Sequence, residues 1–209
     1  MSWWSAHPAL SVDERERVNR FGHVADAWAF AAARIEIRAM LAQALGGMPP
    51  HEVPIVLDQR GKPRLADRDG PAFNLTHTVD LNVPGGWRAL VAVALGGTGI
   101  SAVGIDAERI ERFTGASLVE RFFSKGERTE LATVASELLP ERRAVLWTCK
   151  EAFVKATGTG IAGQFGNFEV SVAQEPRLLR APADEHRSWH FSAIEVPPEF
   201  RASLVVGRG

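Results

Sequence analysis

Helix-forming and strand-forming runs alternate in blocks along this chain, and that order constrains the fold more than any single motif does. From 23 to 45 the sequence reads as one long helix, in which Val24, Trp28, Ala31 and Ile35 follow one another at +4, +3 and +4 as a buried stripe. Gly46-Gly47 and Pro49-Pro50 stop it. Four short apolar runs come next, at 53–57, 72–76, 88–95 and 102–108, the first three divided by the turn-forming stretches RGKPR, DRDGP and NVPGG. Helices return over 118–123, 125–131 and 141–156, with Pro140 at a helix start and Gly158 as a stop. Strands then close the chain at 165–172, 188–194 and 202–206. Helix then strands, twice over, predicts an α+β fold of two similar halves, 1–97 and 98–209, meeting at LGGTGIS. Two capping boxes, Ser11 with Glu14 and Ser124 with Glu127, mark further helix starts.

Composition excludes several classes of protein. A formal net charge of −1 argues against a general nucleic-acid binder, which carries a basic excess. No apolar run approaches the length of a membrane span, and MSWWSAHPAL lacks the basic and apolar regions of a signal peptide. The one cysteine, Cys149, allows no internal disulfide and fits a reducing cytoplasm. Cys149 reads as a small apolar residue of the last long helix rather than as a nucleophile.

The candidate chemistry gathers on three carboxylates and a few cations. In VGIDAE, Asp106 and Glu108 stand two apart on an expected strand and so emerge on one face, with Val103, Ile105 and Ala107 on the other. Two carboxylates ~5 Å apart at an effective dielectric of ~20 repel by roughly 3 kcal/mol. Two readings stand: a solvated polar face, or a hard cation such as Mg²⁺. In LWTCKEAFVKATGTG, Glu151 and Lys155 lie at i and i+4, with Trp147 one turn earlier and Lys150 about 100° around the helix. Only four of the 24 basic residues other than histidine are lysine (Lys62, Lys125, Lys150 and Lys155), and two of these flank Glu151. A lysine is a compact point charge where arginine is a rigid fork, which suits a phosphate contact; a surface Glu–Lys pair is the plainer alternative. Lys62 sits in the RGKPR turn, and Thr76 and His77 sit at the end of a strand, where His77 is structural or an anion contact. Together these groups suit a magnesium-bound polyphosphate ester.

RGKPRL, FNLTHT, VGIDAE, RFFSKGE and LWTCKEAFVKATGTGI resemble, in order and spacing, the motifs of the 4′-phosphopantetheinyl transferases, and the length and two-half layout resemble the surfactin-synthetase-activator type. The resemblance runs from about residue 11 to the last strand. It implies halves related by a pseudo-twofold axis, with coenzyme A in the cleft between them: a nucleotide side in 1–97 and the metal-binding and catalytic residues in 98–209. The implied reaction moves the 4′-phosphopantetheine arm to a serine of a carrier protein, releasing adenosine 3′,5′-bisphosphate. Fatty-acid, polyketide and nonribosomal-peptide carriers all fit.

By matching position, Asp106, Glu108 and Glu151 hold Mg²⁺, for which Mn²⁺ is an equal match in ligand chemistry. Glu151 is the implied base and Lys155 the group that neutralises the leaving phosphate. Lys150 and Lys62 are expected at the pyrophosphate or nucleotide, and Thr76 and His77 at the nucleotide 3′-phosphate. Glu127 has two readings, a helix cap or a residue assisting the active site. Where the family has a base in the first long helix this chain has Ala29, with Arg34 the next base, so nucleotide contacts are expected to be fewer or to come from Arg17 and Arg20. The segment 109–125, rich in arginine and phenylalanine, is expected to meet the acidic carrier. The resemblance also implies a monomer. A non-catalytic coenzyme A or carrier-binding module and a magnesium-dependent pyrophosphate hydrolase are the rival functions.

Overall fold

The computed structural model describes residues 3–67, 69–115, 117–160, 165–171, 173 and 175–209. A 3₁₀ turn (Trp3–Ala6) leads into helices α1 (Val12–Val18) and α2 (Val24–Ala44), a second 3₁₀ turn (Pro50–Glu52), and strands β1 (Ile55–Leu57), β2 (Pro63–Leu65), β3 (Phe73–Val83) and β4 (Gly86–Leu95). Strand β5 (Ala102–Arg109) opens the second block, followed by a 3₁₀ turn (Ile110–Phe113), α3 (Ser117–Phe122), α4 (Lys125–Leu131), a 3₁₀ turn (Ser136–Leu138) and α5 (Leu139–Thr157). Strands β6 (Glu169–Val170), β7 (Leu178–Arg180), β8 (Ser188–Ile194) and β9 (Phe200–Arg208) complete it. The expected α+β class is what the chain adopts.

All strand pairs are antiparallel. β3 and β4 form a long hairpin with Phe73 opposite Leu95, and β9 lies between β5 and β8 with Ser203 opposite Asp106. Two short pairs, β1 with β2 and β6 with β7, stand apart from these. The expected turn at RGKPR runs into β2 at Pro63, and the expected strand over 165–172 is described as a strand only at Glu169–Val170; residue 172 lies outside the described residues. Thr76 and His77 are not at a strand end. β3 continues to Val83, because the register with β4 holds until a bulge between Asp80 and Val83.

Of the stripe expected on α2, Ala31 is buried and Trp28 and Ile35 are half-buried, but Val24 is 56% exposed, while Ala25, Ala29, Ala33, Ile37 and Leu41 are buried as well. Periodicity marked only part of the buried surface because α2 is covered on more than one side. Ile37 and Leu41 pack with Val53, Leu65 and Phe73, and Ala27, Phe30 and Ala31 pack with Leu10 and Val18. Small alanines let both layers approach closely. Among the described residues no helix is long and apolar enough to cross a membrane.

The approach of α5 to β5 positions the functional residues. α5 takes Pro140 in its first turn and ends at Gly158, whose φ of 72° suits a left-handed cap. Between those ends it lies directly on β5 at Gly104, where an added Cβ would stand 1.9 Å from the Ala152 carbonyl oxygen and 2.6 Å from the Ala156 nitrogen. Only glycine permits that contact. Gly104, Asp106 and Glu108 share one face of β5 by the period of two, so the helix is laid beside both carboxylates. Across β5, the Ile105 N–H donates to Asn74 Oδ1 at 3.1 Å, tying β3 alongside and bringing Thr76 level with Asp106.

Gly104→Ala is expected to lower the unfolding free energy by about 3 kcal/mol, and the denaturation midpoint with it, because α5 must lift away from the strand. Gly97→Ala, with nothing within 4 Å of the new methyl group, is expected to be near neutral. Equal midpoints for the two variants would contradict this packing.

Candidate active site

A cleft of about 580 Å³ opens where β3, β5, α3 and α5 meet, and Asp106, Glu108, Glu151, Lys155, Thr76 and His77 all line it. Lys155 Nζ donates to Asp106 Oδ1 at 2.6 Å, to Thr76 Oγ1 at 3.1 Å and to the Ile105 carbonyl at 3.2 Å. Thr76 Oγ1 in turn donates to Asp106 Oδ1 at 3.2 Å. The other oxygen, Asp106 Oδ2, is buried with no hydrogen-bond partner. A bare carboxylate oxygen out of water is costly unless something fills the place beside it.

Glu108 pairs with Arg112, four residues on, in the 3₁₀ turn after β5. Burial and the neighbouring Asp106 nonetheless raise the Glu108 carboxyl above its usual range. Glu151 accepts no hydrogen bond from any described residue. Burial first, then the charge of Asp106, pushes its carboxyl up to about 7, with Lys155 opposing the shift. The three carboxylates therefore share one wall and feel one another, but among the described residues no three acidic, histidine or cysteine side chains converge as a ready-made metal cage. Lys155 and Arg112 hold two of the three instead. Oxygen-only donors and the unpartnered Asp106 Oδ2 fit a hard divalent cation, which needs only one or two protein carboxylates beside water and phosphate oxygens.

Two expected site residues lie elsewhere. Lys150 is fully buried, its Nζ 2.7 Å from Glu127 Oε1 and 3.2 Å from the Phe168 carbonyl. Glu127 also accepts from the Ser124 N–H, completing the capping box, and from the Val170 N–H at 3.0 Å. This pair locks α4, α5 and β6 together, and neither member lines the cleft. Lys150, expected at the pyrophosphate, and Glu127, expected as a helix cap or an active-site residue, therefore meet each other in the core, with Glu127 in the cap geometry. The turn of about 100° between Lys150 and Glu151 sends them to different faces of α5.

Lys62 lies outside the cleft as well. Its Nζ donates to the Ala156 carbonyl at 3.1 Å, and Arg60 caps the Gly158 carbonyl at 3.0 Å, so both cations sit at the negative end of α5. Burial pushes the Lys62 ammonium down to about 8. The cavity it lines is a neighbouring one, with Arg64, Ser101 and Thr157.

His77 faces a basic surround. Its ring is held below the usual imidazole range by partial burial and by Lys155, Arg17 and Arg34, against an opposing pull from Asp26. Arg17 lies 4.9 Å over the Phe30 ring, and Arg34 lies 5.4 Å from the same ring and 3.7 Å from Glu14. Arg34 Nε is buried and unpartnered. Arg20 is exposed and turns back to the Glu16 carbonyl. Sequence reasoning passed over Arg34 as a contact and missed Arg112, although a base four residues after Glu108 was a visible signal. In the 109–125 segment, Phe113 and Phe123 are core residues, while Arg112 and Arg121 line the cleft.

The sequence pattern of the 4′-phosphopantetheinyl transferase superfamily matches residues 102–205. Over 196 residues the chain is 35% identical to 4′-phosphopantetheinyl transferase HetI of Nostoc sp. (strain PCC 7120), covering 91% of this chain and 74% of that protein. It is 24% identical to 4′-phosphopantetheinyl transferase Sfp of Bacillus subtilis, covering 93% of this chain and 81% of the relative. Among solved structures, a holo-(acyl-carrier-protein) synthase from Bacillus anthracis in complex with coenzyme A aligns with a TM-score of 0.46 at 28% identity, over 53% of this chain and 97% of that one.

The Glu151 shift has a signed consequence for stability. This carboxyl releases its proton near pH 7 when folded and near 4.5 when unfolded, so between those values the folded state binds more protons and stability falls as pH rises. With a metal chelator present, Glu151→Gln is expected to gain on wild type across that window, by up to about 3 kcal/mol above it. Denaturant titrations from acid to alkaline pH measure this. A stability difference independent of pH would contradict the shift.

Proposed function

This chain belongs to the 4′-phosphopantetheinyl transferase superfamily, and from that premise we propose how its residues carry out the reaction. The reaction moves the 4′-phosphopantetheine group of coenzyme A to a serine of a carrier protein and leaves adenosine 3′,5′-bisphosphate. The observation that carries the assignment of residues is the shared wall of Asp106, Glu108, Glu151 and Lys155, with Asp106 Oδ2 left bare.

Glu151 is the base. In the metal-free protein burial raises its carboxyl to about 7, and a carboxylate placed beside the incoming hydroxyl can take its proton. It takes the serine proton as the serine oxygen bonds to the phosphorus bearing pantetheine, and the bond from that phosphorus to the bridging oxygen breaks. Lys155, already poised between Asp106 and Thr76, meets the charge that builds on the departing phosphate. Asp106, Glu108 and Glu151 would hold Mg²⁺ or Mn²⁺. When bound, that ion offsets the negative charge of the pyrophosphate.

His77, Arg17 and Arg34 are assigned to the nucleotide end, whose 3′-phosphate would satisfy the orphan Arg34 Nε. Thr76 positions Lys155 and Asp106 rather than the nucleotide. Glu127 and Lys150 act as positioning residues, holding α5 so that Glu151 faces the cleft. Lys62 fixes the end of α5 and borders the adjoining cavity. The carrier protein docks along 109–125, where Arg121 and Lys125 stand exposed to its acidic surface. The same reading takes the chain as a monomer of two halves, 1–97 and 98–209, working in the reducing cytoplasm that its single buried cysteine suits.

Intact mass of an apo carrier protein, incubated with the chain, coenzyme A and Mg²⁺, tests this. The carrier is expected to gain one phosphopantetheine, and EDTA is expected to abolish the gain. Glu151→Gln is expected to slow transfer by at least about 100-fold while coenzyme A still binds. Transfer by Glu151→Gln at near the wild-type rate would exclude Glu151 as the base.

A further inference from the structure

Glu108 is not free to meet a cation. It stands at the end of β5 with its side chain 16% exposed, and its oxygen is engaged by Arg112. The backbone that carries Arg112 is fixed. Phe113 is buried, Arg143 donates to the carbonyls of Phe113, Thr114 and Gly115, and the Ile110 N–H donates to the Glu199 carbonyl at 3.0 Å. The Arg112 side chain is 47% exposed, and its guanidinium lies 5.4 Å over the ring of Trp147, one turn before Glu151. It can therefore leave Glu108 by side-chain rotation alone and rest on an aromatic face. The neighbouring Arg109 is committed to Asp80 at 2.9 Å and to Glu111.

We propose that Arg112 is the resident counter-ion of the metal site: it neutralises Glu108 in the metal-free protein, and its release sets how much divalent cation the site needs. This rests on the metal reading given above. The charges favour an exchange. Lys155 on Asp106 and Arg112 on Glu108 supply two positive charges to a wall of carboxylates, and one divalent ion supplies the same two. Displacing the pair leaves the wall's charge unchanged and frees both cations for the phosphates of the incoming substrate. It also explains why three carboxylates on one wall do not converge before metal arrives: two of them are turned toward their cations. Arg112 is thus a positioning residue, acting through Glu108. Its charge also bears on Glu151, which it helps to keep ionised.

Mn²⁺ binding to the chain without coenzyme A, followed by the paramagnetic resonance signal of free Mn²⁺, tests the inference. Arg112→Gln is expected to bind Mn²⁺ about tenfold more tightly than wild type, equivalent to about 1.4 kcal/mol. Arg112→Lys, which keeps the charge, is expected to stay within about twofold of wild type, a split that a merely structural arginine would not produce. Asp106→Asn is expected to abolish the site. Arg112→Gln binding no more tightly than wild type, with binding still dependent on Asp106, would overturn the role of Arg112 and leave the metal reading standing. Mn²⁺ binding that is absent, or indifferent to Asp106→Asn, would overturn both.

Discussion

The contact of the α5 backbone with Gly104 of β5 is the constraint on which the site depends. A helix packed on a sheet through ordinary side chains stands about 10 Å away, and at that distance Lys155 and Asp106 could meet only at full stretch. Here the strand presents no side chain at the crossing, and the Ala152 carbonyl rests where a Cβ would be. The helix therefore carries Glu151 and Lys155 down to the level of Asp106, whose partner on β9, Ser203, bonds Thr148 at 2.7 Å and accepts from Cys149 at 3.2 Å. Cys149 is accordingly inert, its thiol pushed up to about 12 by burial. On the far side of α5, the buried Lys150–Glu127 pair fixes the helix's rotation. Removing one partner of such a pair costs about 3–5 kcal/mol, far more than an exposed pair does.

Two kinds of ion pair serve two purposes in this chain. Lys150 with Glu127 is sealed, with side chains 0% and 1% exposed, and ties α5 to α4. Lys155 with Asp106 and Arg112 with Glu108 border the cleft, and their cations reach solvent. Such half-open pairs are weak enough to exchange when a stronger counter-charge arrives. The cleft is stable in waiting because it carries its own cations, and it stays reactive because Asp106 Oδ2 and the Glu151 carboxylate have none bonded to them.

Much of this was legible in the sequence, for reasons of period and punctuation. A spacing of two put Asp106 and Glu108 on one face of a strand, and a spacing of four put Glu151 and Lys155 on one face of a helix. Pro140, Gly158 and the capping boxes marked the helix ends. What periodicity could not supply was the environment on each face. Lys150 and Glu151 are neighbours in sequence, yet one is sealed in the core and the other lines the cleft, because Glu127 waits on only one side. The stripe on α2 was incomplete for the same reason: two layers cover that helix, so one apolar face could not mark all that is buried. Gly104 carries no signal of its own in VGIDAE, and only the packing of α5 against it gives that glycine its purpose.

The account's central claim is that the cleft is seen with its own cations standing in for metal and substrate charge. A crystal structure with coenzyme A and Mg²⁺ tests it most directly. The expected result is a cation against Asp106 Oδ2, with Lys155 moved from Asp106 onto the pyrophosphate. Lys155 still bonded to Asp106, with the pyrophosphate bound away from β5 and α5, would contradict it.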